Sequence, residues 1–488
     1  MSAQQTTKRD AQGLPRIQMI GLVLGAAFLL MTWVLPAPET MGAQAWSALG
    51  LMLLMATWWS TEAIPIPATA LLPIVLVPAL GLGGIADATS SYAHPVIFLF
   101  LGGFTLGLAM QRWNLHRRIA LLTLRAVGNN PKRQIAGFMA ATAFLSMWVS
   151  NTATTIMMLP IGLSVMAMME GADPEGVRRY AVSLLLAIAY SASLGGIATL
   201  IGTPPNALLA AYLSENQGIE VGFAQWMLIG LPVSVVMLTL VWWRLTRRDF
   251  GALGAGGGTG EVIHDELEQL GSMSRGEKLV AMVFCLTAGA WVFRPLLSAQ
   301  WMPWLTDTGI AIAAAISMFL IPVSTAKRTF VLDWESASKL PWGVLLLFGG
   351  GLAMAGAINS SGLADWIAQA LSAAGSLPLV LMIALSVTAV LYLTEVTSNT
   401  ATAAAFLPLL GALAVSQGVS PLLLTVPAAI VASCAFMMPV ATPPNAIVFS
   451  SGHLAIPDMI RAGFPLGIAS IIVVTLMSYG LVGLVFTL

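Results

Sequence analysis

Four short motifs hold the side chains of this chain that could do chemistry. Ser150-Asn151-Thr152 recurs as Ser398-Asn399-Thr400, and Thr203-Pro204-Pro205-Asn206 recurs as Thr442-Pro443-Pro444-Asn445. No Lys, Arg or His stands in or beside any of them. They offer hydroxyls, amides and freed backbone groups, which is equipment for binding and not for breaking bonds. Adjacent prolines remove two N–H donors and interrupt a helix, and Asn206 and Asn445 can bond the backbone freed at each break. Ser, Asn and Thr are favoured at helix N-caps, where exposed N–H groups carry partial positive charge and suit an anion. Carbonyls at helix C-termini, joined by Ser and Asn oxygens, suit a hard cation such as sodium. Helix ends contribute roughly 0.3–2 kcal/mol each, too little to offset burying two carboxylates. Bound cations are the expected remedy. They would also offset the membrane potential, which opposes entry of a bare dianion by about 4.6 kcal/mol per 100 mV.

The elements that position these motifs have to lie in a membrane. The 488 residues are 58% apolar and 9% charged, against about 25% charged in soluble domains. Lipid must be the main solvent. A helix needs roughly 20 apolar residues to cross, which places spans near 17–36, 45–61, 65–81, 96–112, 180–213, 223–244, 278–298, 308–323, 342–358, 421–450 and 463–486. No small-residue cleavage site closes the first apolar run, so it reads as a span and not as a removed signal. Two further apolar pairs, 134–149 with 152–170 and 377–397 with 401–415, are each interrupted by Ser-Asn-Thr. They read as re-entrant hairpins whose tips meet inside the bilayer. The expected fold is all-α and polytopic: about eleven transmembrane helices plus two re-entrant hairpins.

Charge tests that count. With the N-terminus cytoplasmic and the C-terminus external, every one of the 21 Lys and Arg residues except Arg294 falls on the cytoplasmic side, as the positive-inside rule demands. The Gly-rich, then acidic segment 250–277 is a cytoplasmic linker between two halves. The halves repeat: FLGGF at 100–104 matches LFGGG at 347–351, and both hairpins and both Pro-Pro breaks follow in the same order. The connector after the first Gly-Gly helix is strongly basic and the one after the second has no Lys or Arg. The repeat is therefore inverted, which puts a substrate site at the repeat interface near the midplane.

Other polar residues read differently. Glu395 is an acid placed deep in the membrane, and its repeat counterpart is Met147. It could tune an ion site, carry a proton, or simply accept hydrogen bonds near the hairpin tip. Glu62 near the inner surface reads as structural, and Ser183, Ser191 and Ser193 as small residues for close helix packing. Cys285 and Cys434 rule out a disulfide framework. An intramembrane enzyme would need a catalytic acid pair, a nucleophile with its base, or a metal cluster. Every Asp maps to a loop or membrane edge, and His94, His116, His264 and His453 lie outside the motifs. That reading is remote, and a channel fits poorly with tips closing from both sides.

The doubled SNT, GTPPN with ATPPN, and TEAIPIP in the second span resemble the divalent anion:sodium symporter (DASS) family of INDY-type carboxylate transporters. The resemblance covers almost the whole chain. It implies a secondary transporter in the bacterial inner membrane that imports succinate, malate or fumarate with sodium. It also implies a homodimer working as an elevator. Scaffold helices with interfacial arms would occupy 17–133 and 278–376. Transport-domain hairpins and helices would occupy 134–244 and 377–488, with a tail at 1–16 and the linker at 245–277. By position, one sodium would meet Ser146, Ser150, Asn151 and backbone near Gly202. A second would meet Thr394, Ser398, Asn399 and backbone near Ala441. The carboxylates would meet Ser150, Asn151, Thr152, Ser398, Asn399 and Thr400, with Thr203, Pro204, Thr442 and Pro443 closing the site. Some members exchange di- or tricarboxylates without sodium, which stands as the alternative. The sequence does not choose among dicarboxylates, citrate and sulfate.

Overall fold

A chain dissolved in lipid has to satisfy its backbone N–H and C=O groups internally, which a helix does within one segment. The structure, a computed structural model, describes residues 16–128, 130–167, 174–247, 250, 258–372 and 377–486. Helices dominate these residues. Eight of them, from Arg16–Val34 to Ile456–Val485, are long and apolar enough to cross a membrane by length and composition. Every expected span coincides with helix, and three coincide with a broken one. The span expected at 180–213 is Pro174–Ile197 followed by Pro204–Gln217, and that at 421–450 is Leu422–Val431 followed by Pro443–Phe449. The third break is new. The segment 65–81 forms Ile66–Thr69 and Leu72–Ala79, because Pro73 has no N–H to give the Thr69 carbonyl.

Both hairpins form as pairs of helices. Pro131–Ser146 turns into Asn151–Ala167, and Leu379–Thr394 turns into Asn399–Ser416. The connectors are helices as well, Leu115–Val127 in the first half and Leu363–Ser372 in the second. The acidic part of the linker is more than a tether. Gly258–Leu270 is helical and docks on Leu115–Val127, with Arg117 paired to Glu266 and Ile263 buried. Arg118 Nε pairs with Glu277 Oε1 at 2.7 Å just beyond it. The Gly-rich part of the linker, 251–257, and the N-terminal tail 1–15 lie outside the described residues. One two-stranded antiparallel ribbon, Pro322–Ser324 against Thr329–Phe330, had no signal in the apolar pattern.

The halves interlock. The first Gly-Gly helix, Pro95–Arg112, packs on Asp307–Leu320 from the second half; the second, Trp342–Ser360, packs on the 66–79 segment from the first. Glycine is needed at these crossings because the backbones touch. A Cβ on Gly102 would lie 2.6 Å from the Ala311 carbonyl carbon, and one on Gly350 would collide with the Ala70 carbonyl oxygen.

Candidate substrate and ion site

Each tip is built from a helix end facing a helix start. In the first hairpin the arm stops at Ser146 and the second arm begins at Asn151. In the other, the stop is Thr394 and the start Asn399. The residue that ends each first arm is buried under the tip and bonds in the same way in both halves. Ser146 Oγ lies 2.6 Å from both the Ala192 carbonyl oxygen and Asn151 Oδ1. Thr394 Oγ1 lies 2.9 Å from the Ala432 carbonyl oxygen and 2.8 Å from Asn399 Oδ1.

A hydroxyl has one proton to give, so neither Ser146 nor Thr394 can donate to both of its acceptors. The second cluster therefore holds more acceptor oxygens than protons, and the first does so in one of the two orientations of the Asn151 amide. In the first, the Asn151 amide terminus faces Ser146 Oγ at 2.6 Å, the Ala192 carbonyl at 3.1 Å and the Gly202 carbonyl at 3.3 Å. Turning the amide would let its nitrogen serve these three. A small cation among them would serve equally and leave the oxygen inward, since hard cations take carbonyl, hydroxyl and amide oxygens. The donor set fits sodium. Glycine at 196 and 202 is what permits the approach: a Cβ on Gly196 would lie 2.8 Å from Asn151 Oδ1, and one on Gly202 would collide with the Gly196 carbonyl.

The Pro-Pro breaks complete the walls. Asn206 Nδ2 donates to the carbonyls of Gly196 (3.1 Å), Ile197 (3.3 Å) and Thr199 (2.8 Å). Asn445 Nδ2 donates to those of Ala435 (3.2 Å) and Met438 (3.0 Å). These amides replace helical bonds across each break, the role their position after Pro-Pro foretells. Thr442 caps its helix by accepting from Asn445 N at 3.2 Å. Thr203 Oγ1 instead lies 3.4 Å from Ser433 Oγ, a link between the two halves.

All of this converges on one cavity of about 910 Å³. Its walls include Ser150, Asn151, Thr152, Gly202, Thr203 and Pro204 from the first half, and Ser398, Asn399, Thr400, Ala441, Thr442 and Pro443 from the second. Ser146 and Thr394, both fully buried, stand just behind the two asparagines. Every residue singled out in the sequence is thus at or directly behind one cavity wall.

Two features were not legible in advance. The carbonyls of Ala192 and Ala432 complete the oxygen clusters, and backbone atoms of alanine leave no mark in a sequence. Lys339, remote from every motif, lines the same cavity, as do Glu62, Gln18 and Gln111. Glu395 resolves to the acceptor reading. Its Oε1 accepts from Phe436 N (2.7 Å) and Met437 N (3.1 Å), and its Oε2 from Met437 N (3.0 Å) and Met438 N (3.1 Å). It braces the irregular stretch 432–442 that leads into the second Pro-Pro. Ser183 Oγ donates to the Leu245 carbonyl, while Ser191 and Ser193 are buried without a hydrogen-bond partner among the described residues. That suits packing.

Comparisons with known proteins bear on the family and the fold. Residues 16–485 match the family described as "Sodium:sulfate symporter transmembrane region". The chain is 43% identical over 478 residues to the sodium-dependent dicarboxylate transporter SdcS of Staphylococcus saprophyticus, covering 95% of this chain and 91% of that protein. Identity to SdcS of Staphylococcus aureus is 43% over 474 residues, with the same coverage. Among solved structures, the YdaH transporter of Alcanivorax borkumensis matches with a TM-score of 0.57 at 12% identity, covering 97% of this chain and 99% of that one. MtrF of Neisseria gonorrhoeae, described as one of a class of antimetabolite efflux pumps, matches with a TM-score of 0.56 at 12% identity, covering 97% and 96%. At such identity these two speak to the fold alone. The fold, the doubled motifs and the family match lead to one conclusion: this chain is a multi-pass membrane transporter belonging to the sodium:sulfate symporter family.

Proposed function

We propose that the chain imports C4-dicarboxylates of the succinate, malate or fumarate type by cotransport with sodium. The observation that carries this reading is the pair of matching oxygen-rich clusters, Ser146–Asn151–Ala192 and Thr394–Asn399–Ala432, set behind a single cavity. Carbonyl, hydroxyl and amide oxygens gathered in this way suit cations, and cations in turn make the cavity hospitable to a dianion. Sodium coordination falls to Ser146, Ser150, Asn151 and the Gly202 carbonyl, and to Thr394, Ser398, Asn399 and the Ala441 carbonyl. The hydroxyls and amides of Ser150, Asn151, Thr152, Ser398, Asn399 and Thr400 hold the carboxylates, with Thr203, Pro204, Thr442 and Pro443 as the remaining wall. The likeness to SdcS, named for sodium and dicarboxylate, supports the same assignment.

The division of labour follows the repeat. Segments 134–244 and 377–488 form a transport domain, and 17–133 and 278–376 a scaffold, working as an elevator within a homodimer of the bacterial inner membrane. The N-terminus is cytoplasmic and the C-terminus external. Gln18, Glu62, Gln111 and Lys339, which line the cavity beyond the motifs, all fall on the side that collects the basic residues. The cavity therefore opens inward. Radiolabelled succinate uptake into empty proteoliposomes tests the function, with citrate and sulfate as competitors. An imposed sodium gradient should drive accumulation. Uptake that needs internal dicarboxylate and ignores sodium would make the protein an exchanger.

A further inference from the structure

We propose that Lys339 is the specificity-determining cation of the inner mouth, drawing dianions between the cytoplasm and the two oxygen clusters. The proposal rests on the function assigned above. Four observations carry it. Among the described residues Lys339 is the single Lys, Arg or His side chain lining the cavity. It has no carboxylate within ion-pair distance among the described residues, whereas other basic residues of that face are engaged: Arg112 with Asp333 at 2.5 Å, Arg118 with Glu277 at 2.7 Å and Arg178 with Asp458 at 3.6 Å. It is exposed, and its backbone is held in place. Asp333 Oδ1 caps the preceding turn at Ser336 N (2.8 Å), Lys339 N bonds the Ser336 carbonyl (3.2 Å), and the adjoining Ala337 and Leu340 are buried. Lastly, the other ionisable residue on the cavity wall is Glu62, held at a left-handed φ of 49°, a conformation uncommon outside glycine.

Among the described residues the rim thus carries one charge of each sign. A cleft with low-dielectric walls focuses the field of such charges and raises or lowers the local concentration of an ionic ligand. Neutralising Lys339 leaves Glu62 alone, and the mouth then repels what the cavity has to hold. Neutralising Glu62 does the reverse. The clusters themselves are untouched by either change, so access from the other face stays as it was, while sodium at the inner face shifts in the opposite sense to the dianion.

The test is dicarboxylate saturation measured separately on each face, in inside-out and right-side-out membrane vesicles at low ionic strength. Lys339→Gln should raise the half-saturating succinate concentration at the inner face about fivefold, and Lys339→Glu should raise it further. Lys339→Arg should behave as the unchanged protein, and Glu62→Gln should lower the inner value. Half-saturation at the outer face should hold constant, and that for sodium at the inner face should move the opposite way and by less. The difference between Lys339→Gln and wild type should shrink at about 0.5 M salt, where screening is nearly complete over a few ångströms. An unchanged inner value in Lys339→Gln, or an equal shift at both faces, overturns the proposal. Wild-type vesicles that show no sodium-driven succinate transport overturn the functional reading instead.

Discussion

The two hairpin tips share a sequence motif and differ in circumstance. Trp148 in the first tip corresponds by the repeat to Val396 in the second. Trp148 is 7% exposed and packs into an aromatic cluster, with ring centroids 6.1 Å from Phe223, 6.4 Å from Trp291 and 5.0 Å from Phe284. Val396 is 62% exposed and borders the cavity. The supports behind the tips differ too. Thr199 Oγ1 donates to the Met147 carbonyl at 2.6 Å in the first half, where the break runs over 198–203. The longer break 432–442 in the second half needs a carboxylate, and Glu395 stands where Met147 does. Identical motifs are thus held by different means: both line the cavity, but the residue two before each Ser is buried in aromatics in one tip and exposed in the other.

The comparison can be broken at the motifs, which it treats as equal. Asn151→Ala and Asn399→Ala should each reduce sodium-driven succinate uptake to background while the purified protein keeps its melting transition. Wild-type transport in either variant would remove that half from the site. A smaller but clear effect is expected at the support that differs. Glu395→Gln loses charge-assisted bonds worth about 1.5–3 kcal/mol each. Its melting temperature should fall and its sodium half-saturation rise, whereas Met147→Gln should leave both near wild type. Matching behaviour of the two variants would contradict the bracing role.

That burial is itself open to test. In a Cys285→Ser background, Val396→Cys should react with a membrane-impermeant thiol reagent from the cytoplasmic side. Adding Trp148→Ala should slow that labelling several-fold by easing the opposite tip out of its aromatic cluster. An unchanged labelling rate would mean that the cluster does not hold the proposed inward-open state. Least in size, Thr152→Val and Thr400→Val should each weaken succinate about threefold through loss of one neutral hydrogen bond. Separate titration should show sodium affinity unchanged.

Most of the fold could be read from the chain because its solvent leaves few options. Apolar length fixes helices, charge sorts the sides, and repeated order exposes the two halves. The break at Ala70–Leu71 was missed because a proline-rich apolar run reads as one span until the Thr69 carbonyl is followed to its missing donor at Pro73. The helix Gly258–Leu270 was missed because its stability comes from Arg117 and from packing on a distant connector, neither of which is local. At the site, side-chain ligands were legible and backbone ones were not. Lys339 stands 59 positions before Ser398, and only tertiary folding sets both on the wall of one cavity.

An interrupted helix is the usual place for a chain to bend, and here that freedom is withheld. Pro204 with Pro205 and Pro443 with Pro444 occupy the first two positions of the helices that follow the breaks, where ring closure locks φ near −65°. The residues poorest in backbone hydrogen bonds are therefore among the stiffest in torsion. In the elevator proposed above, the bending that moves cargo would therefore fall outside these two breaks, and the pocket would travel with its shape intact.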